Sequence, residues 1–86
     1  MYQIKLTRQA EKAFAALMKA QPAMGRRVAQ AIDHLGANPG AGIPLRAELK
    51  GLYKYRVGVY RIIYSFQRRV LLVTIIDIGH RKEVYR

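Results

Sequence analysis

The chain has 86 residues, 51% of them hydrophobic, which describes one folded domain spanning residues 1–86 and excludes intrinsic disorder. Sixteen Lys and Arg against five Asp and Glu leave a net charge of +11, a field that attracts polyanions, nucleic acid first among them. Cysteine is absent, so disulfides, cysteine-based zinc sites and thiol catalysis are excluded.

Residues 2–6 alternate, with Tyr2, Ile4 and Leu6 on one face, and read as a short strand. Thr7 is placed to cap a helix by accepting from an orphan amide of the first turn. In that helix Ala10, Phe14, Leu17 and Met18 form the apolar stripe, while Arg8, Glu11, Lys12 and Lys19 face water. Gln21-Pro22 ends it and opens a second helix, because proline is tolerated at a first helical position. Its stripe is Val28, Ala31, Ile32 and Leu35, and Gly36 with Asn38-Pro39 stops it. So short a link makes the two helices an antiparallel hairpin.

Residues 36–42 read as a loop and 45–49 as a partial turn. Three strand-like segments follow at 53–57, 59–66 and 70–78, joined at Gly58 and at Gln67-Arg68-Arg69. Both connections are short enough only for antiparallel neighbours. The predicted order is β-α-α-β-β-β: an α+β domain, an antiparallel sheet with the helical hairpin packed on one face. No apolar run reaches the roughly 18 residues of a membrane span. Lys5, Arg8, Glu11 and Lys12 interrupt any secretory signal pattern, so a cytoplasmic protein with no membrane partner is expected.

Period two decides which side chains share a face. Lys54 and Arg56 fall on one side of their strand, opposite Tyr53, Tyr55 and Val57. On the next strand Arg61, Ile63 and Ser65 share a side, opposite the more apolar Tyr60, Ile62, Tyr64 and Phe66, which should meet the helices. A tight hairpin without a bulge at Gly58 then brings Lys54, Arg56 and Arg61 to the face free of helices. The last strand leads into Gly79-His80-Arg81-Lys82-Glu83-Val84-Tyr85-Arg86, which carries cations and a phenol to the same sheet. Like charges on adjacent strands repel and are stabilised by an anion, so the cluster reads as a phosphodiester site. Two distant histidines and five scattered acids give no metal-ligand spacing, and residues 36–42 lack the Lys-Ser/Thr of a phosphate loop. No cofactor is expected.

Leu49-Lys50-Gly51, Tyr53-Lys54-Tyr55-Arg56, Tyr60-Arg61-Ile62-Ile63-Tyr64 and Gly79-His80-Arg81 with Tyr85-Arg86, in this order, resemble the RelE/ParE superfamily of type II toxin–antitoxin systems. The resemblance covers essentially the whole chain and is strongest to the RelE-like branch. It implies a RelE-like domain that cuts messenger RNA in the ribosomal A site and so inhibits translation. Catalytic roles are implied for Lys54, Arg56, Arg61, Arg81 and Tyr85. RNA contacts are implied for Lys50, Lys54, Arg56, Arg61, His80, Arg81 and Lys82. The implied chemistry is metal-independent transesterification by the ribose 2′-OH. Implied partners are an acidic cognate antitoxin, the ribosome with its A-site message, and operator DNA through the antitoxin complex alone. A ParE-like inhibitor of DNA gyrase and a non-catalytic nucleic-acid-binding module are the alternatives.

Overall fold

The computed structural model describes residues 1–46 and 49–80. In chain order the elements are β1 (Gln3–Leu6), α1 (Arg8–Ala20), α2 (Pro22–Ala37), a single 3-10 turn at Pro39–Ala41, β2 (Ile43–Pro44), β3 (Tyr53–Val57), β4 (Tyr60–Gln67) and β5 (Leu72–His80). The sheet has five strands in the order β1-β5-β4-β3-β2. The α+β class and the helical hairpin on one face are as expected from the sequence.

Three features of the sheet differ from that expectation. β1 pairs with β5 in parallel, so the sheet is mixed rather than wholly antiparallel. The hairpin of helices carries the chain away and back, which lets the first strand dock beside the last in the same direction. Second, Ile43–Pro44 adds a two-residue edge strand against Tyr53 and Lys54, inside what reads as loop. Third, Val70 and Leu71 belong to the turn before β5 and are largely exposed, at 62% and 50%. Leu71 takes a left-handed φ of 52°, and its carbonyl accepts from the Gln3 amide at 2.8 Å.

Both helices form for the reasons their sequences suggest. Thr7 caps α1, its hydroxyl accepting from the Ala10 amide at 3.1 Å. Pro22 occupies the first turn of α2, where its missing N–H costs nothing. Gly25 lets the helices approach closely, since a Cβ there would collide with Met18. The core lies between the hairpin and one face of the sheet. Ala10, Leu17, Val28, Ala31, Ile32 and Leu35 from the helices meet Val57, Ile62, Tyr64, Val73, Ile75 and Ile78. Val28, Leu35, Ile62, Val73 and Ile75 are completely buried, each stabilising by about 1.5–3 kcal/mol relative to exposure. No helix among the described residues is long and apolar enough to cross a membrane.

Candidate active site

The β3–β4 hairpin builds the site. Its turn is the two residues Gly58 and Val59, with Gly58 at φ +60° and Val59 at an ordinary φ, the type II′ pattern that matches strand twist. No bulge intervenes, and Val57 pairs with Tyr60, Arg56 with Arg61 and Lys54 with Ile63. Tyr53, Tyr55 and Val57 therefore share the helix side with Tyr60, Ile62 and Tyr64. Lys54, Arg56 and Arg61 share the opposite side, as period two requires. Arg56 and Arg61 stand directly across from one another, a spacing of about 4.5–5.5 Å between Cβ atoms. Two guanidinium groups so placed repel unless an anion sits between or above them.

β5 borders Arg61 on its other side, with Gly79 directly opposite. The ladder shifts register here: Ile63 pairs with Asp77 and Tyr64 with Ile75, so Ile76 is the extra residue of a bulge. Thr7 anchors that bulge, its hydroxyl donating to the Ile76 carbonyl at 2.7 Å and its amide to Ile75 at 2.9 Å. Beyond the bulge the alternation is inverted. Ile78 enters the core, while Asp77 joins the cationic face diagonally from Arg61, its Oδ1 accepting from the Ile78 amide at 2.8 Å. Period two alone assigns Asp77 to the helix side with Val73 and Ile75, which is why this acid is missed from sequence.

His80 is not brought together with the cationic face. It lies opposite Tyr60 on the helix side, ring centroids 5.9 Å apart, at the end of α1 where Gln21 Nε2 donates to the Tyr60 hydroxyl at 3.1 Å. Arg81, Lys82 and Tyr85 lie outside the described residues.

The far face is not bare. Leu45, Leu49 and Leu52, from the segment joining β2 to β3, flank a cleft of about 170 Å³ with Ile63, Ile76, Asp77 and Gln9. Ile63 is thereby 6% exposed although it faces away from the helices. The segment is closed by the Leu45 amide donating to Leu52 at 2.9 Å. Lys50 and Gly51 sit at the centre of a turn in which the Leu52 amide donates to Leu49 at 3.0 Å, with Gly51 at φ +93°, a type II pattern. Lys50 is thus an exposed cation held at a turn tip over the same face as the other cations.

On the opposite edge, Tyr64 fixes β2. Its buried hydroxyl donates to the Pro39 carbonyl at 2.7 Å and accepts from the Gly42 amide at 2.8 Å. Burial raises its pKa above the ordinary 10.0, partly offset by the Gly42 bond, so it serves as a neutral brace. Among the described residues no three His, Cys, Asp or Glu side chains gather as a metal-ligand set.

A family model described as "ParE toxin of type II toxin-antitoxin system, parDE" matches residues 4–85. The chain belongs to this family. ParE toxins form part of the RelE/ParE superfamily, and the other similarities fall within it. Toxin RelG of Mycobacterium tuberculosis is 40% identical over 45 residues, and the chain spans about half the length, 52%, of that curated relative. The RelBE2 toxin–antitoxin complex of the same organism contains a chain 29% identical, with a TM-score of 0.82 over 93% of this chain and 98% of that one. The archaeal RelE–RelB complex of Pyrococcus horikoshii contains one 27% identical, with a TM-score of 0.75 over 96% and 98%.

Proposed function

We propose that this ParE-family chain is a ribosome-dependent endoribonuclease that cuts messenger RNA in the A site. The observation that carries the reading is the Arg56–Arg61 pair with Lys54, a cationic cluster on the sheet face away from the helices. In the reaction the ribose 2′-OH loses its proton to a base and attacks the adjacent phosphorus. The new O2′–P bond forms as the P–O5′ bond breaks, leaving a 2′,3′-cyclic phosphate and a 5′ oxygen that takes its proton from water. Arg61 and Arg56 hold the charge that grows on the phosphorane. Lys54 or Tyr85 accepts the 2′-OH proton, and Arg81 stabilises the departing oxygen. The ribosome completes the site by fixing the nucleotides in line, so free RNA is a poor substrate.

With a net charge of +11, the chain is neutralised most effectively by an acidic partner, and the relatives solved as RelBE2 and RelE–RelB complexes support a cognate antitoxin. The matched ParE model favours a second reading, a DNA gyrase inhibitor without catalysis. Primer extension on a programmed ribosome, run beside a gyrase supercoiling assay, separates the two. A discrete A-site cut that needs ribosomes supports the nuclease. Inhibited supercoiling with no cut establishes the gyrase reading instead.

A further inference from the structure

β2 pairs with Tyr53 and Lys54, so among the described residues the rest of β3 has β4 as its one neighbouring strand. A cleft lies on each side of that open edge. One, about 310 Å³, runs between α2 and β3 and is lined by Arg27, Gln30, His34, Tyr55, Arg56 and Gly58 among others. The second, about 430 Å³, is lined by Ala41, Ile43, Lys54, Tyr55 and Arg56. Tyr55 and Arg56 border both, so the two clefts form one groove from the cationic face around the edge to α2.

The chemistry of the α2 end is specific. Arg27 reaches over the hairpin turn, its guanidinium nitrogens 3.4 and 3.8 Å from where a Cβ on Gly58 would stand. His34 and Tyr55 place their rings 5.8 Å apart, tilted by 42°. Among the described residues no acid lines either cleft. Two cations beside two aromatic rings offer a phosphate one contact and a base another. The volume of the α2–β3 cleft suits a single small-molecule-sized group, and its lining mixes Arg27, Gln30, His34 and Arg56 with Ala31, Tyr55 and Val57.

We propose that this α2–β3 cleft holds a nucleotide of single-stranded RNA next to the cationic face, its base against His34 and Tyr55 and its phosphate on Arg27. The proposal rests on the reading that the chain acts on RNA. His34 and Arg27 are binding residues, distinct from the groups that act at the scissile phosphate.

The test measures fluorescence anisotropy of a short labelled single-stranded RNA with the full chain and its variants. Arg27→Ala is expected to weaken binding about fivefold to tenfold and to lower the salt slope by about 0.7, the share of one phosphate contact. His34→Ala is expected to weaken binding by a similar factor with the salt slope unchanged, and His34→Phe to restore it. On programmed ribosomes the same variants should raise KM and leave kcat as it is. RNA affinity unchanged in both Arg27→Ala and His34→Ala overturns the proposal, and reduced affinity for an acidic antitoxin segment in its place reassigns the groove to that partner. Should RNA binding respond as expected while the parent cuts no message, the cleft stands and the nuclease reading fails by itself.

Discussion

Thr7 and Ile76 meet across 69 positions of sequence: the Thr7 hydroxyl donates to the Ile76 carbonyl at 2.7 Å while accepting from the Ala10 amide at 3.1 Å. One side chain thus caps α1 and holds the bulge that sets the alternation of β5. Thr7→Val removes both bonds and keeps the shape, and a loss of about 1–2 kcal/mol is expected. Thr7→Ser keeps both and should recover most of it. Thermal melts of the two variants decide the point, and a loss in Thr7→Ser with Thr7→Val unchanged would show that the methyl group rather than the hydroxyl matters.

The Arg56–Arg61 pair predicts opposed effects on stability and binding. Arg56→Thr relieves a directly opposed like-charge pair and keeps a good strand former. Stability should rise by roughly 0.2–1 kcal/mol at low salt, with the gain fading as salt screens the repulsion. RNA affinity should fall at the same time. A stability loss at low salt would mean that the two guanidinium groups do not repel in the folded chain.

Arg61→Ala should cost about 2–4 kcal/mol of transition-state stabilisation, about a hundredfold or more in kcat. Tyr85→Phe keeps the ring and removes the hydroxyl, so lost cleavage at an unchanged melting temperature marks a chemical role. Single-turnover cleavage on programmed ribosomes measures both. Parent-like rates for both variants would remove these residues from the site.

Tyr64 couples stability to alkaline pH. Its folded pKa is raised above 10.0 by burial, so the unfolded chain loses this proton first as pH rises. The contribution is complete below pH 10.0 and declines above it, through the folded pKa. Tyr64→Phe orphans the Gly42 amide and the Pro39 carbonyl and should cost about 1–3 kcal/mol at neutral pH. Its melting-temperature deficit should narrow above pH 10.0, and a deficit constant across that range would contradict the buried-phenol account.

Ile63 ties the β2–β3 connection to the sheet. Ile63→Ala opens a cavity beneath Leu45, Leu49 and Leu52 and should cost about 2–4 kcal/mol. It also loosens the turn that carries Lys50. RNA affinity should therefore drop in Ile63→Ala and in the exposed Lys50→Ala alike, with stability preserved in the second. Unchanged affinity in Lys50→Ala would place that cation outside the RNA path.

Local rules written into the sequence determine most of the elements. Thr7, Pro22, Gly58 and the apolar stripes of both helices act within a few residues of themselves, so their consequences follow without a tertiary structure. The shared face of Lys54, Arg56 and Arg61 is equally local, because a two-residue turn conserves the alternation from β3 into β4. What remained was decided by contacts between distant segments. The parallel docking of β1 on β5 depends on where the helical hairpin returns the chain, which no spacing encodes. The burial of Ile63 depends on a covering segment from the far side of β3. The bulge at Ile76 is fixed by a hydroxyl from the other end of the chain, and it sends Asp77 to the cationic face and His80 to the helices. A single extra residue inverts a period-two pattern, so the composition of the site at β5 was a tertiary outcome while its composition at β3 and β4 was not.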